Sequence, residues 1–341
     1  MNWIVTKLLK FIGTQKFLSV QLDITNSCNL NCRHCYQAKH SSGDDLSFES
    51  WCKILDQYER LAEKLQLAPH FLISGGEPTI SPIFSAILAE LHSRWPATDI
   101  DVLTNGTNLT DKIVAELVRY KAGVQISIDG PDSERHDNIR GAGNFEKAVK
   151  GLKALQNAGL NATFQTVLSN RTAPWIQDFF ETARRMKAAA MNFTRFVPQG
   201  KGKDFYENGG DSPLMGLDLK KAYSGILSFS QKSGISTATN LPLVTLISPE
   251  LGAHGKFGFQ GLIIDYQGNL KVSSRTDFRL GNIFKTGLGE LFLRHPIMKD
   301  LRNGKIDECG VCQFYDKCGG DRNASYAVHG SFLKKDPGCW L

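Results

Sequence analysis

Long hydrophobic runs are missing from this 341-residue chain. No stretch approaches the roughly 20 apolar residues that cross a bilayer, so no α-helical membrane span is expected. A concentrated positive patch is also missing. Lys and Arg number 40 against 34 Asp and Glu, and the basic residues cluster only in short pairs such as Lys220 with Lys221 and Lys334 with Lys335. Dispersed charge of this kind reads as solvated surface and excludes a nucleic-acid footprint. No small-residue cleavage site follows the N-terminal stretch, whose lysines interrupt a short apolar run. Residues 1–17 therefore read as an amphipathic leading helix and not as a signal peptide. There is no internal repeat and no long low-complexity tract. What remains, with 41% hydrophobic and 22% charged residues, suffices for one large core or two domains.

Cysteine is where the chain becomes specific. Three of its 8 cysteines form CxxxCxxC at Cys28, Cys32 and Cys35, a spacing that chance produces in roughly 0.004 of such chains. A 4Fe-4S cluster ordinarily takes four cysteines. A tight group of three holds a cubane with one iron left for an exchangeable ligand. Zinc is the other reading and would need His34 as fourth ligand, but His34 directly adjoins Cys35, which makes a tetrahedron awkward. Iron or zinc held by free thiols fits the cytoplasm better than an oxidising compartment.

Short β-rich runs alternate with longer helical patterns. Strands are expected near 18–24, 70–74, 99–104, 124–128, 161–168 and 191–197. Helices are expected near 47–66, 80–94, 110–120, 144–158, 174–187 and 215–233, with Ser47 capping the first. Alternation implies parallel strands with crossover helices, and six units are too few for a closed eight-stranded barrel. The fold class expected is α/β, an open (β/α)6 partial TIM barrel. Reactive residues then belong where strands end. Residues 200–210 read as a flexible Gly-rich loop and Cys52 as a buried thiol on an amphipathic helix.

The cysteine triplet resembles the cluster motif of the radical S-adenosylmethionine (SAM) enzymes, CxxxCxΦC, with His34 in the usually aromatic Φ position. The resemblance implies that the open iron chelates SAM and that an electron from the cluster releases a 5′-deoxyadenosyl radical. Gly75, Gly76, Glu77 and Pro78 match the family's GGEP motif, which holds the SAM amino group. Their other reading is an ordinary strand-to-helix loop. Ser127 and Asp129 match the pair that contacts the SAM ribose, with turn chemistry as the alternative. Arg140, in an HDxxRG stretch, resembles a residue able to pair with the SAM carboxylate. Tyr36 would pack near SAM or shield the cluster. No catalytic acid or base is identified, and Asp265 reads as a turn-starting carboxylate.

Cys309, Cys312, Cys318 and Cys339 make a second set, complete for zinc or for a fully ligated 4Fe-4S cluster. Their spacing resembles the C-terminal part of the SPASM extension of radical SAM maturases. Ser273 and Arg322 stand where that pattern has cysteines, which implies one auxiliary 4Fe-4S cluster in a shortened, Twitch-like α+β domain. The organisation expected is a radical SAM core at 18–235, a connector at 236–260 and the auxiliary domain at 261–341. The resemblance implies modification of a peptide substrate by hydrogen abstraction, an external electron donor such as a flavodoxin or ferredoxin, and a separate peptide-recognition protein, since only about seventeen residues precede the first strand. A haem-pathway tetrapyrrole enzyme is the second reading. A non-catalytic, metal-stabilised binding module is the third.

Overall fold

A computed structural model describes residues 17–41, 43–239, 241–252, 258 and 261–341. The leading helix expected at 1–17 falls almost wholly outside them, as does part of the connector. Among the described residues no helix is long and apolar enough to cross a membrane.

Six strands, β1 (Phe17–Asp23), β2 (Ala68–Ser74), β3 (Ile100–Thr104), β4 (Gly123–Ser127), β5 (Ala162–Leu168) and β6 (Ala190–Arg195), lie in chain order. All are parallel, with Ser19 opposite His70 and Leu22 opposite Ile73 in the first pair. Each of the first five leads to the next through helix: α1 (Phe48–Leu65), α2 (Phe84–Arg94), α3 (Asp111–Arg119), the pair α4 (Ser133–Arg140) and α5 (Asn144–Asn157), then α6 (Ile176–Arg185). In α1, Trp51, Ile54, Leu55, Tyr58, Leu61 and Leu65 repeat at three- and four-residue spacing and bury one face. Ser47 caps that helix through Ser50 N at 3.2 Å. Cys52 lies off the buried face and is half-exposed, which corrects the buried-thiol expectation.

The two faces of the sheet differ in chemistry. Leu18, Val20, Leu22, Phe71, Ile73, Val102, Ile126 and Phe164 face the helices and are fully buried or nearly so. The opposite face carries Gln21, Leu103, Gln125, Ser127, Gln165 and Thr194, half-exposed along a cavity. A closed barrel fills this space with branched apolar side chains. Here it is left open, with polar side chains among those that line it.

Three further strands, β7 (Leu262–Ile264), β8 (Asn269–Lys271) and β9 (Arg279–Asn282), bring the sheet to nine strands among the described residues, in the order β6-β5-β4-β3-β2-β1-β7-β8-β9. Strand β7 pairs parallel to β1, and β8 and β9 continue antiparallel. The C-terminal segment thus extends the core sheet at its β1 edge. Two further departures concern local structure. Residues Lys201–Glu207 form a helix, where a loop was expected. Helix α4 has only His136 and Ile139 buried, too little apolar periodicity to be read in advance.

Candidate active site

Parallel pairing of β1 and β2 runs past the strand ends and builds the site. Ile24 N donates to Ser74 O at 3.0 Å, Gly76 N to Thr25 O at 2.8 Å and Glu77 N to Ser27 O at 2.8 Å. The segment leading to Cys28 is thereby laced to the GGEP turn. The glycines are what permit this approach. Gly75 has φ +142°, and a Cβ on Gly76 would overlap the Ser27 carbonyl.

Cys28, Cys32 and Cys35 line one cavity of about 400 Å³ together with His34, Gly75, Gly76, Glu77, Ser127 and Arg140. Each sulfur meets an N–H donor: Leu30 N at 3.4 Å from Cys28, Gln37 N at 3.4 Å from Cys35, and Arg140 Nη1 at 3.8 Å from Cys32. Burial pushes all three thiols up, Cys28 to about 11. A buried thiolate trio therefore calls for a cationic partner, and N–H donors aimed at sulfur are what an iron-sulfur cluster uses. The donor set fits that cofactor. Among the described residues no three or more His, Cys, Asp or Glu form a ready metal-binding group.

Glu77 is buried behind the mouth. Its Oε1 accepts from Thr79 N at 3.2 Å, Thr79 Oγ1 at 2.7 Å and Thr104 Oγ1 at 2.6 Å, and its Oε2 from Asn105 N at 2.7 Å. Burial raises its carboxyl above the usual range against these four donors, which favour the charged form. The glutamate thus clamps the end of β3 to the end of β2. Pro78 is buried and starts the following turn.

Ser127 faces the cavity. Asp129 is fully buried, with Oδ1 taking Val167 N at 2.7 Å and Oδ2 shared between His34 Nε2 at 2.8 Å and Arg140 Nε. Burial opposes its charge, but Arg140 and His34 hold it well below the carboxylate range. Arg140 therefore bridges Asp129 and the Cys32 sulfur. Asp265 accepts from Gln267 N, Asn269 N and Arg279, a turn carboxylate. Tyr36 lines the cavity, and burial raises its phenol well above the ordinary value.

Sequence reasoning missed one residue close to the triplet and several from distant segments. His40 reaches Cys35 Sγ at 3.8 Å and the Asn26 carbonyl at 3.1 Å. Arg195, at the end of β6, and Ser274 and Arg275, from the C-terminal extension, line the cavity wall. Only the Ser273 gap in the cysteine pattern had drawn attention to that segment.

In the C-terminal set, Leu243 N lies 3.3 Å from Cys318 Sγ, and Arg322 Nη2 lies 3.8 Å from Cys309 Sγ. Burial raises the Cys318 and Cys339 thiols, with backbone N–H of Gly320 and Leu341 acting against it. These donors also fit a metal-thiolate centre.

Residues 22–183 match the Radical SAM superfamily. The chain is 31% identical over 336 residues to mycofactocin maturase MftC of Mycolicibacterium smegmatis, covering 93% of this chain and 81% of that one. It is 28% identical over 342 residues to the AdoMet-dependent heme synthase of Methanosarcina barkeri, covering 93% and 94%. Streptococcus suis SuiB, crystallised with its precursor peptide SuiA, superposes with TM-score 0.74 at 17% identity, covering 99% of this chain and 79% of that one; that likeness is one of fold. The open parallel barrel, the cysteine triplet at its mouth and the identity to mycofactocin maturase agree: the chain belongs to the radical SAM superfamily and is an enzyme that uses S-adenosylmethionine and a 4Fe-4S cluster.

Proposed function

We propose that this enzyme modifies a peptide by hydrogen abstraction. The observation that carries the reading is the open cavity, which runs from the cysteine triplet along the polar side chains of Gln21, Gln125 and Gln165 to Ser274 and Arg275. These amide side chains stand on β1, β4 and β5, and amides are groups of the kind that pair with a peptide backbone. Relatives named mycofactocin maturase and subtilosin biosynthesis protein support the same reading.

Cys28, Cys32 and Cys35 would hold the SAM-binding cluster. The Gly75–Pro78 turn, Ser127, His34 and Arg140 would hold SAM, with Asp129 setting the orientation of the last two. SAM bound there supplies a 5′-deoxyadenosyl radical on reduction. The chain's own part is to orient and to exclude water. The Lys201–Glu207 helix contributes by closing over the cysteine loop through Gly202 N to Cys35 O at 2.9 Å. Cys309, Cys312, Cys318 and Cys339 would hold one auxiliary 4Fe-4S cluster in a domain at 261–341. Electrons would come from a flavodoxin or ferredoxin in the cytoplasm, and a separate protein would present the peptide.

A tetrapyrrole substrate is the second reading. Arg140, Arg195 and Arg275, scattered in sequence, face one cavity able to receive propionates, and the heme synthase relative matches over nearly its full length. Arg140 and Arg195 are, however, committed to Asp129 and Asp336, which leaves Arg275 as the least engaged of the three.

The test is anaerobic turnover with SAM and reductant, using a short peptide encoded beside the gene and, separately, a haem-precursor tetrapyrrole. 5′-Deoxyadenosine formation together with a mass change in the peptide is expected. Turnover with the tetrapyrrole alone transfers the assignment to the second reading. Absence of 5′-deoxyadenosine with either, in protein holding its iron, favours a non-catalytic binding module.

A further inference from the structure

Arg322 stands four residues after Cys318, and its side chain is among the most deeply enclosed in the chain, 1% exposed. Its Nη1 donates to the carbonyls of Phe332 at 3.0 Å and Lys334 at 2.6 Å, and its Nε lies 3.4 Å from Gly320 O. Its Nη2 faces the Cys309 sulfur at 3.8 Å. The neighbouring carboxylates Asp321 and Asp336 pair with Arg195 and Arg275 instead. Among the described residues Arg322 therefore has no ion-pair partner.

The other enclosed guanidinium groups are compensated differently. Arg140 and Arg195 each hold an aspartate. Arg302 has a backbone carbonyl for Nε, Nη1 and Nη2 and lies over the Phe292 ring at 4.7 Å. In Arg322, by contrast, one nitrogen has only sulfur to meet. A buried cation with no counter-charge is costly, and the chemistry that compensates this one is a negatively charged centre at its sulfur neighbour. Gly320 makes the placement feasible, since a Cβ there would overlap Arg322 Nη2.

We propose that Arg322 is the counter-cation of an anionic iron-sulfur cluster on Cys309, Cys312, Cys318 and Cys339, and that it raises the reduction potential of that centre. The inference rests on the auxiliary-cluster reading above. Four thiolates outweigh the positive charge of the iron-sulfide core, and reduction adds one more negative charge. A fixed cation in a low-dielectric interior stabilises the reduced form more than the oxidised form. The position that a full SPASM pattern gives to a ligand is here given to a charge that tunes the remaining centre.

The test uses the full chain carrying Cys28/Cys32/Cys35→Ala, so that only the C-terminal centre contributes. Iron and zinc are counted, and the centre is titrated by electron paramagnetic resonance at controlled potential. About four irons are expected. Adding Arg322→Met should lower the reduced-to-oxidised ratio at a fixed potential by at least about tenfold, while Arg322→Lys, which keeps the charge, should stay within about threefold of the parent. Loss of iron from Arg322→Met with retention in Arg322→Lys would also support a counter-cation. Unchanged potential in an iron-replete Arg322→Met protein, or equal shifts in both variants, would overturn the proposal while leaving the cluster reading intact. Zinc, or no iron, in the triple-alanine parent would overturn the cluster reading itself.

Discussion

Arg195 grips both oxygens of Asp336, Nη1 to Oδ2 at 2.8 Å and Nη2 to Oδ1 at 3.1 Å, across 141 residues of sequence. The end of β6 is thereby tied to the loop that carries Cys339. Asp336 also accepts from Asp321 N at 2.7 Å and Gly338 N at 2.8 Å. Burial works against the charge on Arg195, but Asp336 and Asp321 hold its guanidinium well above the ordinary value.

Asp336→Asn should therefore leave the buried Arg195 with only its longer contact to Asp321 at 3.8 Å, at a cost below the roughly 3–5 kcal/mol of a fully orphaned buried charge. Denaturant titration and iron counting should show lower stability together with loss of the C-terminal metal. Because the cost is that of a buried charge deprived of its bidentate partner, the double variant Arg195→Met/Asp336→Asn, which removes that charge and keeps a side-chain oxygen for the buried N–H groups of Asp321 and Gly338, should be more stable than Asp336→Asn alone.

Gly76→Ala places a methyl group against the Ser27 carbonyl. The two laced backbones must separate, at about 3 kcal/mol. Iron bound at the triplet and SAM affinity, measured by equilibrium dialysis, should both fall, while the C-terminal metal stays.

Thr104→Val removes one of the four donors to buried Glu77. A bond to a charged group is worth about 1.5–3 kcal/mol. Loss of that stability with weaker SAM binding is expected in denaturant and dialysis measurements, and Thr104→Ser should restore both.

His136 is buried, accepts from Asp129 N at 3.3 Å, and is lowered to about 4 by burial and then by Arg140. Since its ordinary value is 6.5, the unfolded chain binds the extra proton first as pH falls, so this contribution to stability is present above about 6.5 and is lost on acidification toward about 4. Between pH 7.5 and 5.5 the wild type should lose about 1 kcal/mol more than His136→Asn in parallel denaturant titrations.

The barrel was legible because each strand announces itself locally. Alternation in residues 17–23 and the cap at Ser47 are both decided within a few positions, and the cysteine and GGEP motifs sit at strand ends where parallel topology puts reactive groups. What stayed hidden depends on contacts between distant segments. Gly200 and Gly202 looked like loop flexibility, yet a Cβ on Gly200 would overlap the Tyr36 carbonyl, and one on Gly202 would press on His34 O. Close packing against the cysteine loop, and not freedom, explains these glycines. Asp129 looked available to a ligand because nothing in its own turn reveals that Arg140, His34 and Val167 occupy its oxygens. Nothing in the sequence placed Arg195 and Arg275 together, since one closes β6 and the other follows β8, and only the sheet brings them to one wall.

The pairing of Val20–Leu22 with Leu262–Ile264 also bears on synthesis. Strand β1 is among the first described segments to leave the ribosome, and its outer partner emerges some 240 residues later. Throughout that interval its outward N–H and C=O groups form a bare edge, the kind that recruits stray strands. A polypeptide cut before residue 262 keeps that edge permanently, so truncation to the catalytic barrel should yield an aggregating species rather than a smaller enzyme.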